Sequence, residues 1–234
     1  MKKNNILVVV AHPDDETLGC GASLYAAIKS GANVKVVFIG EGSSCRFSIN
    51  EKKTIIQKAI ETRRKYCLKA LKKLKIKKYK FYDLKCGRFD QVSIIDIAKI
   101  VENEIKIFNP SVLLTHFEYD VHMDHKMVFQ ACLQATRPYI KNNIHTFLSF
   151  ETLSSTERNF THEFLPNFFV PIDKKSLKIK NEAMKCYKSE IRKFPFARSI
   201  KNIENLAITR GSQSGHIYAE AFKIIRMLNQ NLFK

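Results

Sequence analysis

Residues 11–16 read Ala-His-Pro-Asp-Asp-Glu and follow directly on the apolar run Ile6-Leu7-Val8-Val9-Val10. One imidazole and three carboxylates therefore crowd into five positions at the end of a strand-like segment. A second cluster, His122-Met123-Asp124-His125, lies shortly after another apolar run, Val112-Leu113-Leu114-Thr115. Two apolar runs that each deliver His and Asp suit a metal-assisted active site. A catalytic zinc site takes three protein ligands from His and carboxylate and leaves one position open. The open position lets the metal lower the pKa of a water toward ~7 and polarise a carbonyl. Adjacent carboxylates such as Asp14 and Asp15 point in different directions, so one can ligate while the other stays free as a general base. Spacing does not say which does which. His122 and His125 share one face of a helical turn, where one can be a ligand and the other a donor to a developing oxyanion. Taken singly, Asp14 reads as a helix cap and Glu16 as dipole compensation. His116, His145, His162 and His216 read as structural. The joint occurrence of the two clusters carries the functional reading.

The elements around the clusters alternate. Ile6–Val10 reads as a strand buried on both faces. A helix carries Leu18, Ala22, Tyr25, Ala26 and Ile28 and stops at Gly31. Val34–Ile39 reads as a strand, Gly40 to Asn50 as a polar loop, and Glu51 to Lys75 as a long helix. A short strand ends at Phe81-Tyr82. A helix from Val92 to Phe108 is closed by Asn109-Pro110, with Val112–Thr115 a strand and Lys126 to Ala135 helical. Beyond Thr146, Phe147–Glu151 and Phe168–Ile172 read as strands and Lys174 to Ile191 as a helix. The period of Ala219 to Leu228 does not settle strand against helix. Strand–helix alternation predicts a single-domain, Rossmann-like α/β fold over residues 1–234, with a mostly parallel sheet flanked by helices. Such sheets bind ligands at the carboxyl edge of their strands, which joins the two clusters into one site.

Forty Lys and Arg against 22 Asp and Glu give a net charge of +18. The charge is diffuse and mostly lysine, without the basic–aromatic interleaving of a nucleic-acid surface, so no nucleic-acid partner is expected. An anionic small-molecule substrate is the functional reading of this excess. The six cysteines contain no C-x-x-C pair, which argues against a zinc knuckle or a redox dithiol. No apolar stretch approaches the ~18 residues of a membrane span, and the basic start Met1-Lys2-Lys3 precedes too short an apolar run for a signal peptide. A cytoplasmic protein is expected, and a homo-oligomer is compatible with the chain.

Ala11–Glu16 and His122–His125 resemble the two signature motifs of the LmbE/PIG-L family of zinc-dependent N-deacetylases. Arg63 to Leu74, Ser154–Glu157, Pro166–Val170, Tyr187–Glu190, Phe194 to Ser199, Arg210–Ser212 and Ala219–Phe222 resemble later blocks of members associated with bacterial surface polysaccharide synthesis. The resemblance implies one zinc ion per chain on His12, Asp15 and His125. It implies Asp14 as the base that takes a proton from the attacking water, His122 as the stabiliser of the oxyanion, and Asp124 as the group that orients or tunes it. Arg63 falls inside the apolar stripe of its helix, where a guanidinium needs a partner; substrate oxygens or an internal ion pair would each serve. Arg63, Arg46, Arg88, Tyr187 and Arg198 are the substrate-binding candidates. The chain departs from the family pattern at Tyr66, Lys85-Cys86-Gly87 and Glu190. These departures bear on the substrate more than on the metal. The implied activity is removal of an acetyl group from an N-acetylated sugar of GlcNAc type, nucleotide- or lipid-linked. The alternative is the same chemistry on a thiol glycoside or another small amide.

Overall fold

A computed structural model of the protein describes residues 4–138 and 142–228. The strands are β1 (Asn5–Val10), β2 (Asn33–Gly40), β3 (Lys78–Leu84), β4 (Val112–His116), β5 (Thr146–Phe150), β6 (Phe168–Pro171) and β7 (Ala219–Met227). The helices are α1 (Asp15–Lys29), α2 (Lys53–Lys73), α3 (Ile94–Phe108), α4 (Met123–Ala135), α5 (Lys174–Met184) and α6 (Ile200–Gln213). The seven strands form one sheet in the order β3-β2-β1-β4-β5-β7-β6, parallel through β5 and antiparallel at β7 and β6. The expected α/β fold with a mostly parallel sheet is present.

Leu7 to Val10 are fully buried because β1 is central and covered on both faces. Val8 and Val10 pack on one side with Leu18 and Leu24 of α1 and with Cys67 and Leu71 of α2. Leu7 and Val9 pack on the other with Ile97 and Val101 of α3 and Val128 of α4. The edge strand β3 shows Lys78 and Lys80 to solvent, and charges of this kind discourage pairing with another sheet. These two lysines thus have a structural use. No helix among the described residues is long and apolar enough to cross a membrane.

Three readings of the C-terminal half change. The helix expected to reach Ile191 ends at Met184, and the chain then tightens into turns closed by Tyr187 N–H to Met184 O and Glu190 N–H to Tyr187 O. Those turns aim Glu190 back at the arginines of the site. The helix α6 was not expected; Ser199 caps it by accepting the Asn202 N–H at 3.2 Å. The undecided Ala219 to Leu228 segment is strand β7, which pairs on both sides, with β5 and with β6.

Candidate active site

Strands β1 and β4 are parallel neighbours, with Val8 opposite Leu114. The loops that leave them emerge side by side where the strand order reverses, the usual ligand position in such sheets. His12 lies in the β1–α1 turn, Asp15 opens α1, and His125 sits in the first turn of α4. All three are buried, and their ligand atoms lie within 4.8 Å of one another. Asp15 Oδ2 also accepts the His12 backbone N–H at 2.8 Å, which fixes the turn.

Each of these histidines has a carboxylate behind it. His12 Nε2 is 2.8 Å from Asp124 Oδ2, which leaves Nδ1 on the Asp15 side, 3.7 Å from Asp15 Oδ2. His125 Nε2 is 3.5 Å from Asp15 Oδ2, and its Nδ1 is 3.2 Å from Asp120 Oδ2. Carboxylates on the far ring nitrogen are the usual support of metal-binding histidines. They are themselves held. Asp124 accepts the Gly87 and Phe89 N–H groups at 2.6 and 3.1 Å. Asp120 accepts the hydroxyls of Ser155 and Thr156 and the His122 N–H. Burial works against charge on His125, yet Asp15 and Asp120 outweigh it and raise its pKa to about 10. Burial likewise opposes charge on Asp15, but His125 and His116 keep its carboxyl well below the ordinary range. The pocket thus demands positive charge. Two imidazoles and one carboxylate, each with its outer partner, form a donor set that fits zinc.

Asp14 stands beside this set with a left-handed backbone, φ 120° and ψ −24°. Such a conformation costs about 1–3 kcal/mol for a residue other than glycine. It is braced by Glu16, whose Oε2 accepts the Asp14 N–H at 3.0 Å. Glu16 in turn accepts the hydroxyls of Thr17 and Tyr187 at 2.6 and 2.8 Å. The Asp14 carboxylate accepts from Arg63 on Oδ1 at 2.9 Å and from Arg198 on Oδ2 at 3.2 Å. Burial raises its pKa, with Glu190 and Asp15, against the pull of Arg63 and Arg198. The balance stands at about 7, where a group can both take and return a proton.

His122 caps α4, its Nδ1 accepting the Asp124 N–H at 3.2 Å. In the neutral ring this places the proton on Nε2 as a donor. Burial, then His125 and His12, lower its pKa to about 4, so the ring is neutral at pH 7. The carboxylate of Asp124 faces His12 rather than the ring of His122. His116 is fully buried; its Nε2 accepts the Ala11 N–H at 2.9 Å and its ring stacks on His125 at 3.8 Å.

The arginines converge on one buried carboxylate. Glu190 accepts from both Arg46 nitrogens at 2.6 Å, from Arg63 at 2.8 Å and from Arg198 at 2.7 Å. Three guanidinium groups thus face two carboxylates, Glu190 and Asp14. Arg63 also donates to Pro13 O at 2.9 Å. Its place requires Gly42, where a Cβ would meet Arg63 Nε at 2.9 Å. Tyr187 is fully buried and braces Glu16, away from any open surface. Arg88 is exposed and lines a groove with Lys85 and Lys53 instead of joining the cluster. Asp120 and Glu190 are participants that motif reading passed over as site residues. The only local trace of Asp120 is its place two residues before His122.

Residues 7–136 match the model of the PIG-L family, described as GlcNAc-PI de-N-acetylase. The chain belongs to the PIG-L family. Among relatives, it is 30% identical over 193 residues to the uncharacterized deacetylase YaiS of Escherichia coli K12, covering 80% of this chain and 92% of YaiS. It is 21% identical to the diacetylchitobiose deacetylase of Thermococcus kodakarensis, over 94% of this chain and 82% of that one. Among solved structures, GalB, the 4-carboxy-2-hydroxymuconate hydratase of Pseudomonas putida KT2440, superposes with a TM-score of 0.77 at 19% identity. That match covers 98% of this chain and 99% of GalB. The PIG-L match spans both clusters, since it runs from β1 to the end of α4.

Proposed function

We propose that this PIG-L family protein is a zinc-dependent hydrolase that removes the acetyl group from an N-acetylated sugar, with one ion per chain on His12, Asp15 and His125. The observation that carries the reading is the ligand set with a carboxylate behind each histidine, flanked by an unligated carboxylate, Asp14, and a neutral imidazole donor, His122. The names of the relatives, YaiS and the diacetylchitobiose deacetylase, point to the same reaction. A zinc ion held there would acidify a water and polarise the acetamide carbonyl. Asp14 takes the proton of the attacking water. The Nε2–H of His122 donates to the oxygen of the acyl carbon as its charge grows. Asp14 then returns its proton to the leaving amine, a part that suits His122 less because its ring remains neutral as a hydrogen-bond donor. Arg63 and Arg198 hold the Asp14 carboxylate in place throughout.

The one-charge excess of the arginine cluster supports an anionic group on the substrate. The groove beside the site, about 1010 Å³, offers that group space and the cations Lys53, Lys85 and Arg88, although Glu41, Glu51, Glu61 and Asp83 also line it and Arg64 is paired with Asp83. The test is acetate release from a panel of free, nucleotide-linked and oligomeric N-acetyl sugars, combined with elemental analysis. The expected result is turnover that a chelator stops and zinc restores. Asp14→Asn should keep its zinc while kcat falls by about 10²–10⁴. Absence of bound divalent metal, together with unchanged activity in His12→Ala, would overturn the reading.

A further inference from the structure

Cys45 and Cys86 have no role in the mechanism above, although Cys86 Sγ lies within 4.8 Å of ligand-capable atoms of His12, His122 and Asp124; the two Sγ atoms are 3.0 Å apart. Carbon atoms at rest against each other keep about 3.5–4.0 Å, and sulfur is larger. The fold brings the pair together. Strands β2 and β3 run parallel with Gly40 opposite Leu84, so the turns leaving them lie side by side. Cys45 is in the short 3-10 turn Ser44–Arg46 after β2, and Cys86 is in the turn after β3. One buried carboxylate pins both turns: Glu41 accepts the Cys86 N–H at 2.8 Å, the Ser43 N–H at 2.6 Å and the Ser44 N–H at 3.0 Å. Gly87 keeps the space open, because its φ is +73° and a Cβ there would stand 3.0 Å from Cys45 Cβ. Cys45 is exposed and Cys86 is buried, the division expected of an attacking thiol and a resolving one.

We propose that Cys45 and Cys86 form a reversible thiol–disulfide site at the rim of the candidate active site, oxidised by a small-molecule disulfide such as oxidised glutathione. The Cys45 thiolate attacks one sulfur of that disulfide; its S–S bond breaks and one thiolate leaves. Cys86 gives up its proton and attacks Cys45 Sγ; the mixed disulfide breaks and the second thiolate leaves. The two cysteines lose two electrons and two protons, and the small disulfide gains them as two thiols. Cys45 suits the first step. Its hydrogen bond with Cys86, helped by Arg46 against partial burial, holds its thiol down at about 7, and the thiolate is the attacking form. Closing the sulfurs from 3.0 Å to a bond of about 2.05 Å needs only a small shift of the two turns. The turn of Cys86 also supplies the Gly87 and Phe89 N–H groups that hold Asp124, so the bond would tie the wall of the groove to the support of His12.

The experiment is incubation of the full chain with oxidised glutathione, acid quenching, alkylation and peptide mapping. None of its readouts depends on the enzymatic reading. Wild type should yield a Cys45–Cys86 linked peptide, lighter by two hydrogen atoms than the reduced pair and reversed by dithiothreitol. Cys86→Ser should trap Cys45 as a stable mixed disulfide with glutathione. Cys45→Ser should leave buried Cys86 unmodified. If wild type instead accumulates glutathione on Cys45 without linkage, or reacts only at half-buried Cys186, the proposal is overturned. Wild type and Cys45→Ser suffice for this judgement should Cys86→Ser fail to fold.

Discussion

Asp120 carries a consequence that motif reading does not reach. It stands behind His125 as Asp124 stands behind His12, at 3.2 and 2.8 Å. If both carboxylates orient ligands, removing the charge of Asp120 should weaken the metal before it touches the chemistry. Asp120→Asn is expected to bind zinc about 10–100-fold more weakly in chelator competition, with kcat largely recovered at saturating zinc. Equal zinc affinity in the two proteins would remove Asp120 from that role. Glu190 makes a different prediction. Burial would raise its carboxyl, but Arg46, Arg63 and Arg198 hold it at about 2, below the ordinary ~4.3 of a glutamate. A depressed folded-state pKa contributes stability that is fully present above the unfolded value and is lost as pH falls from there toward about 2. Glu190→Gln should therefore unfold at lower urea than wild type at about pH 6, and the gap should narrow at about pH 3.5. A gap of the same size at both values would assign the loss to packing rather than to charge.

At the scale of elements, the register of α1 on β5 depends on one missing side chain. A Cβ at Gly19 would stand 2.1 Å from Phe150 Cδ2, whereas at Gly21 the nearest atom is 3.5 Å away. Gly19→Ala should cost about 1–3 kcal/mol through overpacking. Gly21 follows the non-helical Cys20 at a kink in α1, and Gly21→Ala should gain about 0.4–1 kcal/mol by reducing the freedom of the unfolded chain. Paired melting curves decide this, and a Gly19→Ala protein as stable as wild type would show that α1 can slide on the sheet. The same elements explain what was legible. Ile6–Val10 and Val112–Thr115 announce themselves as continuous apolar runs because both faces are covered, and they carry the ligand-bearing loops with them. The helix α6 and the strand β7 stayed hidden because tertiary pairing decides them: Ser199 starts one, and β5 and β6 frame the other. Glu190 was hidden for a similar reason. It lies 127 positions from Arg63 in sequence, and only the turns after α5 bring the two together.

For the molecule as a whole, the net charge of +18 is diffuse, and Lys78 and Lys80 use part of it to protect the edge strand β3. A positive field of this kind acts on association more than on chemistry. Its reach is set by screening, about 8 Å at physiological ionic strength. Among the described residues of the groove beside the site, Lys53, Lys85 and Arg88 are the cations not paired to its acidic residues, as Arg64 is to Asp83. If the proposed substrate carries a phosphate or nucleotide, kcat/KM should fall several-fold as salt rises from low concentration to about 0.15 M. A neutral N-acetyl sugar should show a flat profile over the same range, because no long-range attraction is there to screen. Neutralising Lys53 and Arg88 together should flatten the profile of the anionic substrate and leave that of the neutral one unchanged. Stopped-flow or initial-rate measurements at matched pH distinguish these cases. Equal salt sensitivity for both substrates would place the effect on the protein's own stability and leave the basic surface without a part in recognition.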